Sequence, residues 1–159
     1  MELFSLLTKW FWVVFIVATL LNAAIFRSRA NRQIQIHPEL EEGYRTLLKG
    51  FVIWGNLSWV VMGVGCVFGG VPSVLHFFRP RDGNPFVLAF FASVFLEWIL
   101  GTYWLIYRGG AQMLVNHPGL FNLDLKTPRM VVLFWFLSLA GGILAVIMMF
   151  SRTIPLPLR

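Results

Sequence analysis

The sequence has little charge, one cysteine and few residue types that soluble proteins use to cover their surface. Charged residues make up 13% of the 159 positions and hydrophobic residues 58%. Soluble domains average about 25% charged residues. A chain this apolar cannot cover a surface in water, which excludes a soluble globular protein. Cys66 is the only cysteine, so an intrachain disulfide, a CxxC redox pair and a thiolate zinc cluster are excluded as well.

The chain also lacks the short motifs that mark common catalytic sites. It contains no GxSxG, HExxH, P-loop, Rossmann glycine pattern or EF-hand loop. The three histidines, His37, His76 and His117, lie outside the apolar runs, so no span offers the axial ligands of a haem. We therefore expect no catalytic residue, no metal and no cofactor, and the balance favours a protein that is not an enzyme.

Four long apolar runs dominate the sequence, at residues 10–26, 51–71, 86–107 and 130–150. At about 1.5 Å per residue, a run of some twenty residues spans the hydrocarbon core of roughly 30 Å. The sequence therefore predicts an all-α integral membrane protein with four transmembrane helices. The connecting segments are too short for a separate soluble domain, so residues 1–159 are predicted to form a single transmembrane domain.

The basic residues predict how these helices are oriented. The segments 27–49 and 108–129 lie on the same side of the membrane, since two spans separate them, and together they hold eight of the 13 Lys and Arg residues. Positive charge favours the cytoplasmic side. We expect both segments to be cytoplasmic loops, with both termini on the opposite side. The net charge of +6 is then explained by contact with the lipid bilayer, and no nucleic-acid partner is expected.

The two halves of the chain show a similarity at an offset of 80 residues. His37-Pro38-Glu39-Leu40 corresponds to His117-Pro118-Gly119-Leu120, and Phe11, Phe15, Leu20 and Ser58 recur in the same way. Each half reads as a span, a loop with His-Pro-x-Leu and a second span. The sequence therefore predicts two parallel-repeat helical hairpins.

Glu97 is the only charged residue well inside an apolar run. A charge at the bilayer centre costs about 3 kcal/mol on insertion scales, so this residue needs a partner or a role. Helical spacing places it on one stripe with Ser93, Gly101, Trp104 and Arg108. Polar residues at a similar depth in all four spans predict an intramembrane polar cluster of Glu97, Asn56, Asn22, Tyr103 and Ser138. The alternative is that these side chains only join pairs of helices.

Small residues in the second and fourth spans predict close helix packing, which the bilayer favours where backbones can approach. The positions are Gly55, Gly65, Gly69, Gly141 and Gly142. This packing would occur within the chain or in a homo- or hetero-oligomer with other membrane proteins. His37, His117 and Arg45 are the candidate functional residues of the two predicted loops.

Three functions are compatible with this pattern. The small size and small-residue helix faces favour an accessory or assembly subunit of a larger membrane complex. The first alternative is a proton-coupled transporter or small channel that uses Glu97. The second is a membrane enzyme that acts on a lipophilic substrate, with Arg45, His37 and His117 at the interface.

In length, span number and the basic segment after the first span, the chain resembles the membrane-associated proteins of eicosanoid and glutathione metabolism. Residues 41–45 are similar to the end of that family's basic loop. Lys49 and Val52 stand where its Arg-Asn-Glu run has asparagine and glutamate, so the resemblance implies no glutathione chemistry. Small multidrug transporters also combine four spans with a buried glutamate, but theirs lies in the first span and Glu97 in the third.

Overall fold

The computed structural model describes residues 2–120 and 126–151, with side chains from residue 6 onward. Within these residues the chain is helical and has no strand. The helices are α1 (Glu2–Ile36), α2 (Glu41–Val67), α3 (Pro85–Tyr107), α4 (Gly110–Asn116) and α5 (Pro128–Ser151). All except α4 are long and apolar enough to cross a bilayer. This confirms the predicted all-α membrane protein with four transmembrane helices.

The segment predicted as the first loop, residues 27–49, is mostly helical in the structure. Helix α1 continues to Ile36, and one 3-10 turn at Pro38–Leu40 leads directly into α2. Residues 27–36 contain no proline or glycine, and their Arg, Gln and Ala residues favour helix as readily outside the bilayer as within it. The break falls at His37, since the residue before a proline is disfavoured in the α conformation.

Helices α1 and α2 form an antiparallel hairpin with a register fixed by aromatic contacts. Phe15 stacks on Trp59 at a centroid distance of 4.0 Å, and Phe26 stacks on Phe51 at 6.0 Å. At the far end of the hairpin, Trp12 packs over Gly63, where a Cβ would lie 2.7 Å from the indole ring. The lipid-facing sides of both helices remain exposed, as expected where the bilayer is the solvent.

The connection from α2 to α3 is compact and begins earlier than predicted. Helix α2 ends at Val67 and not at residue 71, because Gly70 takes a positive φ of 64°. Residues 81–85 form a tight turn. Gly83 is left-handed with φ 71°, and the Asn84 side chain caps α3 by accepting hydrogen bonds from the backbone N–H groups of Phe86 and Val87.

The second predicted loop, residues 108–129, contains the short helix α4, which Gly109 opens with a φ of 73°. Residues 121–125 of this loop and the C-terminal Arg152 and Arg159 lie outside the described residues. Helix α5 begins at Pro128, and the Thr127 side chain accepts a hydrogen bond from the backbone N–H of Met130. It packs against α4 and, more slightly, against α3.

The predicted internal repeat stays a prediction. His37 and His117 share a similar backbone conformation, with φ and ψ of −130° and 76° in the first and −117° and 75° in the second. The elements around them differ, because α1 has 35 residues and its counterpart α3 has 23. The two histidine side chains also have different surroundings, as described below.

Candidate functional site

Glu97 lies half-buried on α3 and is held by two serines. Its Oε1 accepts a hydrogen bond from the backbone N–H of Ser58 at 3.1 Å and lies 2.8 Å from the Ser58 hydroxyl. The Ser58 hydroxyl is in turn 3.0 Å from that of Ser93, which bonds the carbonyl of Phe90 at 2.8 Å. This network joins α2 to α3. The sequence indicated Ser93, because this residue lies one turn before Glu97 on the same helical stripe.

Two members of the predicted polar cluster do not join this network. Asn56 is buried, but its amide donates to the Val52 carbonyl one turn earlier at 2.7 Å, and its Oδ1 has no partner among the described residues. Asn22 is exposed on α1. These two residues were predicted from their depth along a span, and depth does not determine the direction in which a side chain points.

The other two predicted members, Tyr103 and Ser138, share a cavity with Glu97. The cavity has a volume of about 790 Å³, within the range of ligand pockets, and residues of all five helices line it. Its wall is mostly apolar, with one carboxylate at Glu97 and one guanidinium at Arg108. Seven of the lining residues are aromatic, namely Phe26, Phe51, Trp54, Tyr103, Trp104, Phe134 and Trp135.

The cavity is open on one side, between α2 and α5. Helix α2 packs against α1 and α3, whereas α5 packs against α4 and α3, and within the described residues α2 and α5 have no extensive interface. Lining side chains on both sides of this gap are exposed, including Trp54 on α2 at 47% and Phe134 on α5 at 42%. This side of the cavity is therefore not covered by another helix among the described residues.

One wall of the cavity is fixed by a tryptophan. The Trp135 indole N–H donates to the Thr102 hydroxyl at 2.8 Å, which ties α5 to α3. The ring lies over Gly101, where a Cβ would come within 2.8 Å of it. Trp135 is partly buried, and its hydrogen bond to Thr102 fixes the orientation of the ring.

His117 closes one end of the bundle. It is buried, its Nδ1 bonds the Met113 carbonyl at 2.6 Å, and its ring meets that of Tyr44 edge-on at 4.8 Å. The Tyr44 hydroxyl donates to the Pro118 carbonyl at 2.8 Å. The imidazole fills the space over Gly43. These contacts dock α4 on α2 and so position Leu114 of α4 in the cavity wall.

The other candidate residues of the predicted loops have different surroundings. His37 is exposed and pairs with Glu39 at 3.2 Å. Arg45 is exposed on the first turns of α2, next to the buried Tyr44. Within residues 2–120 and 126–151, no group of three His, Cys, Asp or Glu residues is placed to hold a metal ion. The structure thus gives His117 a packing contact and leaves His37 and Arg45 at the surface.

Four of the five glycines predicted to mediate packing lie against a neighbouring helix or turn. A Cβ on Gly55 would lie 3.4 Å from Thr19 of α1, and one on Gly142 would lie 2.7 Å from Trp98 of α3. Gly65 and Gly69 face aromatic rings of the connection and α3, namely Phe77 and Phe86. At Gly141 a Cβ would meet nothing within 4 Å, so this residue faces outward from α5.

The fold defines a four-span integral membrane protein with a cavity between its helices. No known protein family, curated protein or solved structure matches the chain. The function must therefore be inferred from the cavity itself.

Proposed function

We propose that this protein binds a lipophilic molecule from the bilayer in the cavity between α2, α3 and α5. The observation that carries the proposal is the cavity itself, with a volume of about 790 Å³, a wall rich in aromatic side chains and Glu97 as its deep polar group. Ligand pockets typically combine an apolar lining with a few polar groups that orient the ligand. The sideways opening supports entry from the lipid phase.

Two glycines allow a matched test of this proposal. Gly50 lines the cavity, and a Cβ there would lie 4.0 Å from Trp54, so Gly50→Leu adds a side chain to the cavity without an immediate clash at its first carbon. Gly141 does not line the cavity and has open space around it, so Gly141→Leu adds the same atoms to the lipid-facing side of α5. Both changes replace a helical glycine, which makes their effects on helix propensity comparable.

The measurement is native mass spectrometry of the protein extracted gently from its own membrane. We expect a small lipophilic adduct on the wild type and on Gly141→Leu, and a reduced adduct on Gly50→Leu. Equal adduct on all three proteins, or none on the wild type after gentle extraction, would contradict binding in this cavity.

A second candidate is an accessory or assembly subunit of a larger membrane complex. The observation that favours it is the sparse packing of α5, which buries only Val131 and exposes Leu137, Leu144 and Met148. In the same mass spectra, additional polypeptides bound to the wild type would support this role. A bare monomer carrying only the small adduct would leave ligand binding as the function.

A transporter that uses Glu97 is supported less well. The hydrogen-bonded series from Glu97 through Ser58 and Ser93 ends at the backbone carbonyl of Phe90, which cannot pass a proton on. The enzyme alternative lacks a shared site, because His117 is buried in packing contacts and His37 is exposed beside Glu39.

A further inference from the structure

Arg108 brings a positive charge to the cavity wall that no other side chain neutralises. It forms no ion pair and no side-chain hydrogen bond within residues 2–120 and 126–151. The other charged residue of the wall, Glu97, is already engaged, since its Oε1 accepts both the backbone N–H and the hydroxyl of Ser58. A guanidinium carries five N–H donors and accepts no hydrogen bond. The cavity therefore offers a cationic donor group that is free to meet a ligand.

The two charged residues of the wall lie far apart along α3. Glu97 is near the middle of this helix, whereas Arg108 directly follows its last residue, Tyr107. Eleven residues separate the two, which corresponds to about 16 Å along the helix axis. Gly101 and Trp104, which lie on the same helical stripe, line the cavity between them. The cavity thus follows α3 over this length, with Arg108 at one end.

Thr46 of α2 adds a hydroxyl at the Arg108 end. Helices α2 and α3 follow each other as an antiparallel pair, and Ser58 meets Glu97 between them. Thr46 precedes Ser58 by twelve residues, so it lies about 18 Å toward the start of α2, which is the end that Arg108 occupies on α3. Thr46 also lines the cavity, and its hydroxyl has no hydrogen-bond partner in the described part of the chain.

The wall between the Glu97 level and the Arg108 level is mainly apolar, with Phe51, Trp54 and Phe134 among its residues. A molecule that fills the cavity therefore meets a positive charge at one end and hydrocarbon over most of its length. Helix α3 is long and apolar enough to cross a bilayer, and a lipid carries its head at the level where such a span ends. A charged head at the middle of a span would be strongly disfavoured.

We propose that the cavity binds an anionic amphiphile, whose carboxylate or phosphate head pairs with Arg108 while its hydrocarbon body packs along the aromatic wall. This inference rests on the proposed ligand-binding function and names the ligand class. The N–H donors of arginine form a fork that matches both head groups. An ionised Glu97 would oppose binding only weakly, because the Coulomb energy falls with distance and about 16 Å is four times the separation of a direct ion pair.

Four probes of equal chain length test the charge of the head: palmitate, hexadecyl phosphate, hexadecanol and hexadecylamine. Binding is followed in phosphatidylcholine nanodiscs, which carry no net charge, by tryptophan fluorescence, since Trp54, Trp104 and Trp135 line the cavity. We expect both anionic probes to bind the wild type about tenfold more tightly than hexadecanol, and hexadecylamine to bind least tightly. The tighter of the two anionic probes identifies the head as carboxylate or phosphate, and either order supports the proposal.

Charge reversal gives a matched pair of variants. Arg108→Glu places a carboxylate in the cavity wall and should reverse the preference, so that hexadecylamine binds more tightly than palmitate. Arg129→Glu changes the net charge equally at an exposed position that does not line the cavity, and it should keep the wild-type order. Arg108→Gln should abolish the preference for anionic probes and still bind hexadecanol, which a damaged cavity would not do.

The outcomes separate the ligand class from the binding function. An equal loss of preference in Arg108→Glu and Arg129→Glu would overturn the inference, because the preference would then come from the overall charge. Hexadecanol or hexadecylamine binding the wild type as tightly as both anionic probes would overturn the anionic class but leave a lipophilic binding site. Both proposals would be wrong if no probe bound the wild type, or if Gly50→Leu bound all four probes as the wild type does.

Discussion

Replacing Gly43 with alanine tests the contact that docks α4 against α2. A Cβ at this position would overlap with the imidazole ring of His117. The ring cannot simply turn away, because its Nδ1 is bonded to the Met113 carbonyl and its edge is packed against Tyr44. Either the ring gives up these contacts or α4 moves away from α2.

The free-energy cost of Gly43→Ala can be compared with that of a control substitution, Gly50→Ala, in the same helix. Extra atoms in a well-packed site typically cost about 1–3 kcal/mol, whereas alanine in place of glycine gains up to about 1 kcal/mol of helix propensity. Gly50→Ala has the second effect without the first, since its Cβ would lie 4.0 Å from Trp54. The difference between Gly43→Ala and Gly50→Ala is therefore expected to be about 1–3 kcal/mol, or roughly 5- to 150-fold in the opening equilibrium of α4.

Hydrogen exchange of the α4 amides, residues 110–116, measures this equilibrium in nanodiscs. We expect faster exchange in Gly43→Ala than in Gly50→Ala. His117→Ala removes the clashing ring, so the double variant should show a smaller penalty for Gly43→Ala than the wild-type background does. Unchanged exchange in α4, or strictly additive effects in the double variant, would refute the assignment of this contact.

Two further predictions concern hydrogen bonds in α2 and α3. Asn84→Ala removes the cap of α3 and should lower the free energy of unfolding by about 0.5–2 kcal/mol. Circular dichroism in detergent should then show a lower thermal midpoint. An unchanged midpoint would mean that this cap does not stabilise the start of the helix. Ser58→Ala should cost about 1–3 kcal/mol in the same assay, because it leaves the polar group across the interface short of a partner. Ser138→Ala should change stability by less than about 0.5 kcal/mol, and an equal loss in both serine variants would count against the network.

The sequence was sufficient to predict the spans but not all of their ends. Apolar length decides whether a helix crosses the bilayer, so all four were found. The start of α5 has a local signal in the sequence, because Thr127 can cap a helix that opens with Pro128. The extension of α1 to Ile36 was missed, because charged residues end a hydrophobic run without ending a helix. The end of α2 was placed too late, since Gly70 rather than hydropathy determines it.

The candidate site was predictable only in part. The cost of a charge in the bilayer identified Glu97, and helical spacing placed Ser93 on its side of α3. The cavity itself could not be predicted, because it depends on α2 and α5 standing apart across α3, and no local pattern encodes that separation. The contact between Gly43 and His117, 74 positions apart in the chain, is likewise a product of the tertiary fold.

The length of the first hairpin has a consequence for how other molecules meet this protein. Residues 27–36 continue α1 for about 15 Å past Phe26, where its charge-free run ends. The turn at Pro38–Leu40 therefore lies at least about 15 Å beyond that point, at the tip of the hairpin. Attraction between basic residues and anionic headgroups fades within a Debye length of about 8 Å. Arg27 and the exposed carboxylates of Glu39 and Glu41 at the tip are thus more than one Debye length apart, so the basic and acidic parts of the hairpin attract other charges independently.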